Sequence, residues 1–138
     1  MSDDKRDVLA AAVDAWNAGD GEEYLKLYDP SIVHHGLAPE PFDQVANRGF
    51  YEALWVAFPG AQLNIDDTIS EADRLALRFH LVGEHKGEFM GVPATGRAFR
   101  LNAQTIMRFR NGRVVERWTT GDTLGLLTQL GALPGPSA

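Results

Sequence analysis

Two hydrophobic periodicities divide the chain. In roughly the first sixty residues apolar positions return every three or four places, and after that they return every second place. Between Asp4 and Ala18 the residues Val8, Leu9, Ala12, Val13 and Trp16 share one helical face, and Gly19 supplies a stop. A short second helix follows, with Glu22 and Glu23 at its positive end and Leu25, Leu27 and Tyr28 on its apolar side, ended by Pro30. The run Ser-Ile-Val-His-His-Gly at 31–36 reads as a brief strand. From Pro41 onward, Val45, Ala46, Phe50, Leu54 and Phe58 step by three and four residues, predicting a long third helix that closes before Pro59-Gly60.

Beyond Gly60 the period is two. Leu63, Ile65 and Ile69 mark one strand, and Leu75, Leu77, Phe79 and Leu81 alternate with Ala76, Arg78, His80 and Val82 in the next. A Gly/Pro-marked loop at 86–96 leads into a third strand over 97–110. Asn111-Gly112 then predicts a tight hairpin, because both residues accept positive φ, with the partner strand over 113–122. Leu124, Leu127 and Leu130 give a short final helix. Helices followed by strands with almost no helix between them make an α+β domain rather than a doubly wound one. A strongly curved sheet wrapped around the long helix would enclose a hollow, where ligand pockets form.

The 138 residues suit one domain, expected to span 1–138 with frayed ends at 1–3 and 133–138. Apolar content of 44% and charged content of 23% fit a soluble globular chain, and no apolar run approaches the ~20 residues of a membrane span. A formal charge of −6 argues against a nucleic-acid partner, which would require a basic face. The amino-terminal stretch is too acidic for a secretory signal and cysteine is absent, so a cytoplasmic location is expected, without disulfide, thiolate nucleophile or cysteine-based metal site.

The segments Gly-Glu-His-Lys-Gly-Glu-Phe-Met-Gly-Val-Pro-Ala-Thr-Gly-Arg (83–97), Met-Arg-Phe-Arg-Asn-Gly-Arg-Val-Val-Glu-Arg-Trp (107–118) and Gly-Asp-Thr-Leu-Gly-Leu-Leu-Thr-Gln-Leu-Gly (121–131) occur in an order and spacing that resembles the SnoaL-like polyketide cyclase, or ester cyclase, family. The likeness is carried by Arg78 to Gly131, with support from Val33-His34-His35-Gly36 and the first helix. It implies the nuclear transport factor 2-like cone: three amino-terminal helices packed on a curved, mostly antiparallel sheet, a short carboxy-terminal helix and a deep apolar cavity. It also implies intramolecular aldol-type ring closure with neither metal nor organic cofactor, lyase or isomerase chemistry on a small apolar organic substrate. The family's acid/base carboxylate at the end of the last long strand matches Asp122. The same cone also hosts isomerases, epoxide hydrolases, dehydratases and plain binding modules.

Asp122 has two readings, N-cap of the last helix or general acid/base. An aldol closure needs a base beside one carbonyl and an acid for the resulting alkoxide, and one carboxylate could serve both. Strand parity sets Val114, Glu116, Trp118, Thr120 and Asp122 on one face, so an inward Asp122 brings Trp118 in as a flat wall and Glu116 as a second carboxylate. Glu116 would otherwise pair with an arginine such as Arg78 or Arg108. His34 and His35 cannot both face the cavity from a regular strand, nor can His80 and His85. No spacing suits a zinc site, so no metal is expected. His35 matches a histidine of the family's second-strand motif and is expected as an orienter and hydrogen-bond donor to the enolate, with His85 as a further substrate contact. Phe89 and Met90 would form an adaptable lid over an apolar ligand. A hydration reading would instead need a water held by groups such as Asn102, Gln104 and Asp66. An exposed sheet face bearing Ile and Leu predicts a homodimer, or dimer of dimers, formed through the sheet.

Overall fold

The computed structural model describes residues 4–133, so the frayed ends expected at 1–3 and 133–138 lie, apart from residue 133, outside the described residues. In chain order the elements are α1 (Asp4–Asn17), α2 (Gly21–Leu25), β1 (Tyr28–His35), α3 (Gln44–Ala57), β2 (Gln62–Glu71), β3 (Arg74–Glu84), β4 (Ala98–Arg110), β5 (Arg113–Gly121) and α4 (Thr123–Gln129). The five strands form one sheet in the order β1-β5-β4-β3-β2. Its hairpin partners are antiparallel, and β1 alone runs parallel, beside β5.

Local chemistry explains most boundaries. Asp20 and Asp43 cap α2 and α3, their carboxylates accepting from the amides of Glu23 at 3.1 Å and Ala46 at 2.9 Å. The β4–β5 turn has φ of 52° at Asn111 and 76° at Gly112, the pair of positive values that a two-residue hairpin demands. The first strand departs from the sequence reading. Tyr28 does not belong to a helix ended by Pro30; it opens β1, and Pro30 lies inside that strand. Proline is accommodated because β1 is an edge strand and its ladder with β5 is interrupted between Tyr28 and Val33.

A second irregularity decides which way the last strand faces. Phe109 pairs with Val114 but Arg108 pairs with Glu116, leaving Val115 as the extra residue of a β-bulge. Val114 and Val115 are therefore both buried, and the alternation restarts with Glu116 outward and Arg117 inward. From there Met107 faces Arg117 and Thr105 faces Thr119 on the inner side, while Ile106 meets Trp118 on the outer side.

The helices cover the inner face. Trp16 of α1 donates its indole N–H to the Ala61 carbonyl at 3.0 Å, and Asn17 bonds both backbone groups of Leu63, at 2.7 and 3.0 Å, along the free side of β2. Phe58, just beyond α3, packs on Phe99 and Phe89 at ring distances of 4.4 and 5.0 Å. Burial of a side chain of that size stabilises the fold by about 2 kcal/mol. α4 lies beside the start of β4, where β5 has ended, and Gln129 bonds both backbone groups of Arg100 at 2.7 and 2.8 Å.

Candidate functional site

Between the inner face of the sheet and α1 and α3 lies a cavity of about 330 Å³. Leu9 and Val13 come from α1, Phe50 and Leu54 from α3, and Leu63, Ile65, Phe79, Leu81 and Leu101 from the strands. Phe89 and Met90 reach the wall from the loop after β3, and Gly121, Thr123 and Leu126 bound it beside α4. The wall is mostly apolar, with one polar pole.

That pole is Arg117. Its residue is 5% exposed. The guanidinium donates through Nε to the Thr105 hydroxyl at 2.9 Å, and through Nη1 to the hydroxyls of Tyr51 at 3.1 Å, Tyr24 at 3.4 Å and, most closely, Tyr28. The tyrosines bond one another as well, Tyr24 to Tyr28 at 2.8 Å and Tyr28 to Tyr51 at 2.6 Å. Three elements, α2, β1 and α3, thus contribute one phenol each. Burial pushes the Tyr24 and Tyr28 phenols up, so they remain neutral. Burial also opposes the charge on Arg117, but the surrounding tyrosine oxygens outweigh it and the guanidinium stays protonated. Among the described residues, no Asp or Glu lines the cavity.

Beside this cluster stands His34, 1% exposed. With Nδ1–H donating to the Asn47 amide oxygen at 2.9 Å, Nε2 is left to accept from the Thr119 hydroxyl at 2.7 Å. Burial first, and the nearby charge of Arg117 second, push the imidazole down to about 3, against the pull of the Asn47 bond. His34 is therefore neutral at ordinary pH. The Thr119 hydroxyl and the His34 imidazole, both of the cavity wall, and the Asn47 amide thus form one hydrogen-bonded chain.

The residues nominated from sequence separate into four groups. Phe89 and Met90 border the cavity. His35, Glu116 and Trp118 share a face, as strand parity requires, but it is the outer face, because the bulge at Val115 sets Arg117 inward. There His35 Nε2 bonds Glu116 at 2.8 Å, Arg108 pairs with the same carboxylate at 3.2 Å, and the His35 ring stacks on Trp118 at 5.5 Å. The hydrogen bond from His35, then Arg108, holds the Glu116 carboxyl below its usual range. Glu116 is an ion-pair partner, with Arg108 rather than Arg78, and His34 rather than His35 looks inward. Thr120 and Trp118 line a shallow outer depression of about 410 Å³ with Ile69, Gln104 and Ile106. The hydration candidates fare no better, since Gln104 lies on that outer face and Asp66 pairs with His80 at 2.9 Å.

His85 is fully buried but outside the cavity wall. Its Nδ1 accepts from the Thr95 hydroxyl at 2.9 Å and its ring lies against Phe58, so it pins the loop that carries Phe89 and Met90. Asp122 sits at the rim, exposed, between the wall residues Gly121 and Thr123. One carboxylate oxygen accepts from the Gly125 amide at 2.9 Å as the N-cap of α4. The strand ends at Gly121, so parity does not carry Asp122 into the cavity. Among the described residues, no cluster of three or more His, Asp or Glu side chains is arranged to hold a metal ion. Nor is any helix long and apolar enough to cross a membrane.

A family model described as SnoaL-like polyketide cyclase matches residues 6–130. Among solved structures, AclR from Streptomyces galilaeus, proposed to be a hydroxylase, is 33% identical with a TM-score of 0.88, covering 96% of this chain and 84% of that one. IdmH from Streptomyces antibioticus, proposed to be a polyketide cyclase, is 34% identical with a TM-score of 0.78, over 92% and 98% of the two chains. TsrD from Streptomyces laurentii is 27% identical with a TM-score of 0.83, over 96% and 100%. No curated protein matches the chain significantly. Such neighbours show the α+β cone expected from sequence, and their assigned activities differ.

Proposed function

We propose, from the premise that this chain belongs to the SnoaL-like polyketide cyclase family, that it is a cofactor-independent cytoplasmic enzyme closing a ring in a small apolar polyketide-type carbonyl substrate by an aldol-type step. The observation that carries this reading is the pole of the cavity, a buried cation with no carboxylate beside it among the described residues that line a mostly apolar wall. Aldol closure takes a proton from the carbon beside one carbonyl and joins that carbon to a second carbonyl carbon. It then returns a proton to the new alkoxide, so the product is an isomer of the substrate. Negative charge passes from the enolate oxygen to the alkoxide oxygen. Donors already fixed in place stabilise such charge without reorganising, and Arg117 is held by four hydroxyls before any substrate arrives.

The proton carrier in this reading is Asp122. Its second carboxylate oxygen makes no hydrogen bond among the described residues, and its neighbours Gly121 and Thr123 both line the cavity, which supports a place for it at the rim. The Asp122→Asn variant keeps an N-cap and removes the base, while Arg117→Met removes the cation. Each is expected to lower turnover of an enolisable test polyketide by about a hundredfold or more. A wild-type rate in either variant sinks the role assigned to that residue.

The exposed Asp122, already engaged in capping, favours a second reading, a binding module that uses the same cavity without chemistry. Saturable binding of a small apolar ligand with no product from any carbonyl test substrate would support it. In either case the exposed Ile69 and Ile106, 66% and 41% accessible on the outer face beside Trp118, support a homodimer formed through the sheet.

A further inference from the structure

We propose that the cavity binds its ligand as an anion, an apolar compound carrying an ionised phenol or enol whose single oxygen seats on the free Nη2 of Arg117. The proposal rests on the cavity's being a ligand site, the premise of the preceding reading, but requires no reaction to occur in it.

Hydrogen-bond accounting identifies the free edge. Nε is taken by Thr105 and Nη1 by three tyrosines, and among the described residues none of the hydrogen bonds of the guanidinium uses Nη2. Among the described residues the sole buried side-chain N or O atom sealed away without a partner is His85 Nε2, so Nη2 is open to the cavity. Phe79, whose ring centroid lies 5.9 Å from the guanidinium carbon, lines the cavity together with Arg117, so the guanidinium borders that space.

The pole carries one uncompensated positive charge. The titratable groups facing it are Tyr24 from α2, Tyr28 and His34 from β1, and Tyr51 from α3. From β4 and β3 the neutral Thr105 and Phe79 meet it among the described residues. Burial holds the Tyr24 and Tyr28 phenols and His34 in their neutral forms, and none of the three supplies a counter-charge. The nearest carboxylate on the same strand, Glu116, is spent on His35 and Arg108 across the sheet. A buried cation without an anion is costly, and a ligand oxyanion removes that cost on binding. Geometry narrows the class of anion. A carboxylate gains most from two parallel guanidinium N–H bonds, yet both edges that include Nη2 have their other half occupied, by hydroxyls at Nη1 or by Thr105 at Nε. One charged oxygen on an apolar body is what remains matched to the site.

The test uses 4-nitrophenol, coloured when ionised, with 4-nitroanisole as its neutral counterpart and 4-nitrobenzoate as a carboxylate. Absorbance titration of the intact protein is expected to show the bound phenol ionising at least one pH unit below its free value, the anisole binding at least tenfold more weakly above pH 7, and the benzoate more weakly than the phenolate. Arg117→Met should abolish the shift and Arg117→Lys retain part of it. The comparison of the three probes on wild-type protein stands even if a variant fails to fold. Equal affinity for anisole and phenolate, an unshifted or raised ionisation of the bound phenol, tighter binding of the benzoate, or no binding of the phenolate at millimolar concentration would each overturn the proposal. A clear phenolate shift in a protein that turns over no carbonyl substrate leaves this proposal standing and removes only the cyclase reading.

Discussion

His34 is expected to make the folded protein lose stability as pH falls below about 6.5. The imidazole is held down to about 3 in the folded protein, by burial and then by Arg117, whereas in the unfolded chain it titrates near 6.5. Below about pH 6.5 the unfolded state therefore binds a proton that the folded state refuses. The contribution is fully present above that pH and is lost as pH falls towards 3, because stability drops wherever the unfolded state holds more protons. Each unit costs about 1.4 kcal/mol, so the step from about pH 6.5 to 5 removes roughly 2 kcal/mol. Glu116 and Asp66, whose carboxylates are held below their usual range by His35 and His80, lose their contributions only at lower pH, as they protonate. Urea unfolding at about pH 7, 6, 5.5 and 5 is the assay. With a slope of about 2 kcal/mol per molar, the midpoint should fall by roughly 1 M across the range. In His34→Gln, which has no proton to take up, the fall should be smaller by most of that amount. Parallel falls in the two proteins, or an NMR titration of His34 centred near pH 6.5, would refute the reasoning.

Three further outcomes follow from named contacts. Asp122→Ala should lower stability by about 1 kcal/mol, seen in thermal melting, while Asp122→Asn stays within a few tenths, because only the first loses the acceptor for the Gly125 amide. Gly36 has a φ of +97° and an added Cβ would lie 2.1 Å from the Thr119 carbonyl, so Gly36→Ala should destabilise the fold by about 1–3 kcal/mol in urea unfolding and weaken ligand binding beside it. Ile106→Glu on the outer face should sediment as a single chain at micromolar concentration where the wild-type protein sediments at twice that mass.

Much of this protein is legible in its residue order, because helices, turns and strands answer to neighbours a few positions away. The apolar steps of α1 and α3, the alternation of β3 and β4, the Asn111-Gly112 turn and the apolar pair Phe89 and Met90 in the loop after β3 all follow from local spacing and turn chemistry. The location of the cavity followed from the cone. What its wall contains did not. A regular two-residue hairpin would have set Glu116 opposite Met107 on the inner side, and the single extra residue Val115 exchanged it for Arg117. No sequence signal marks that bulge, since Val114-Val115 looks like any buried pair. The only hint of the inward arginine is a strand in which a carboxylate, a cation and an aromatic stand side by side, any of which could be the one turned in. His34 was equally hidden. Its neighbour His35 is chemically identical, and the choice rests on Asn47 from α3 and Thr119 from β5, groups 13 and 85 residues away. Sequence alone determined which elements form and that they enclose a hollow; register and long-range packing decided which charge faces it, because side-chain direction in a strand reverses with one residue while burial depends on elements brought together only by the fold.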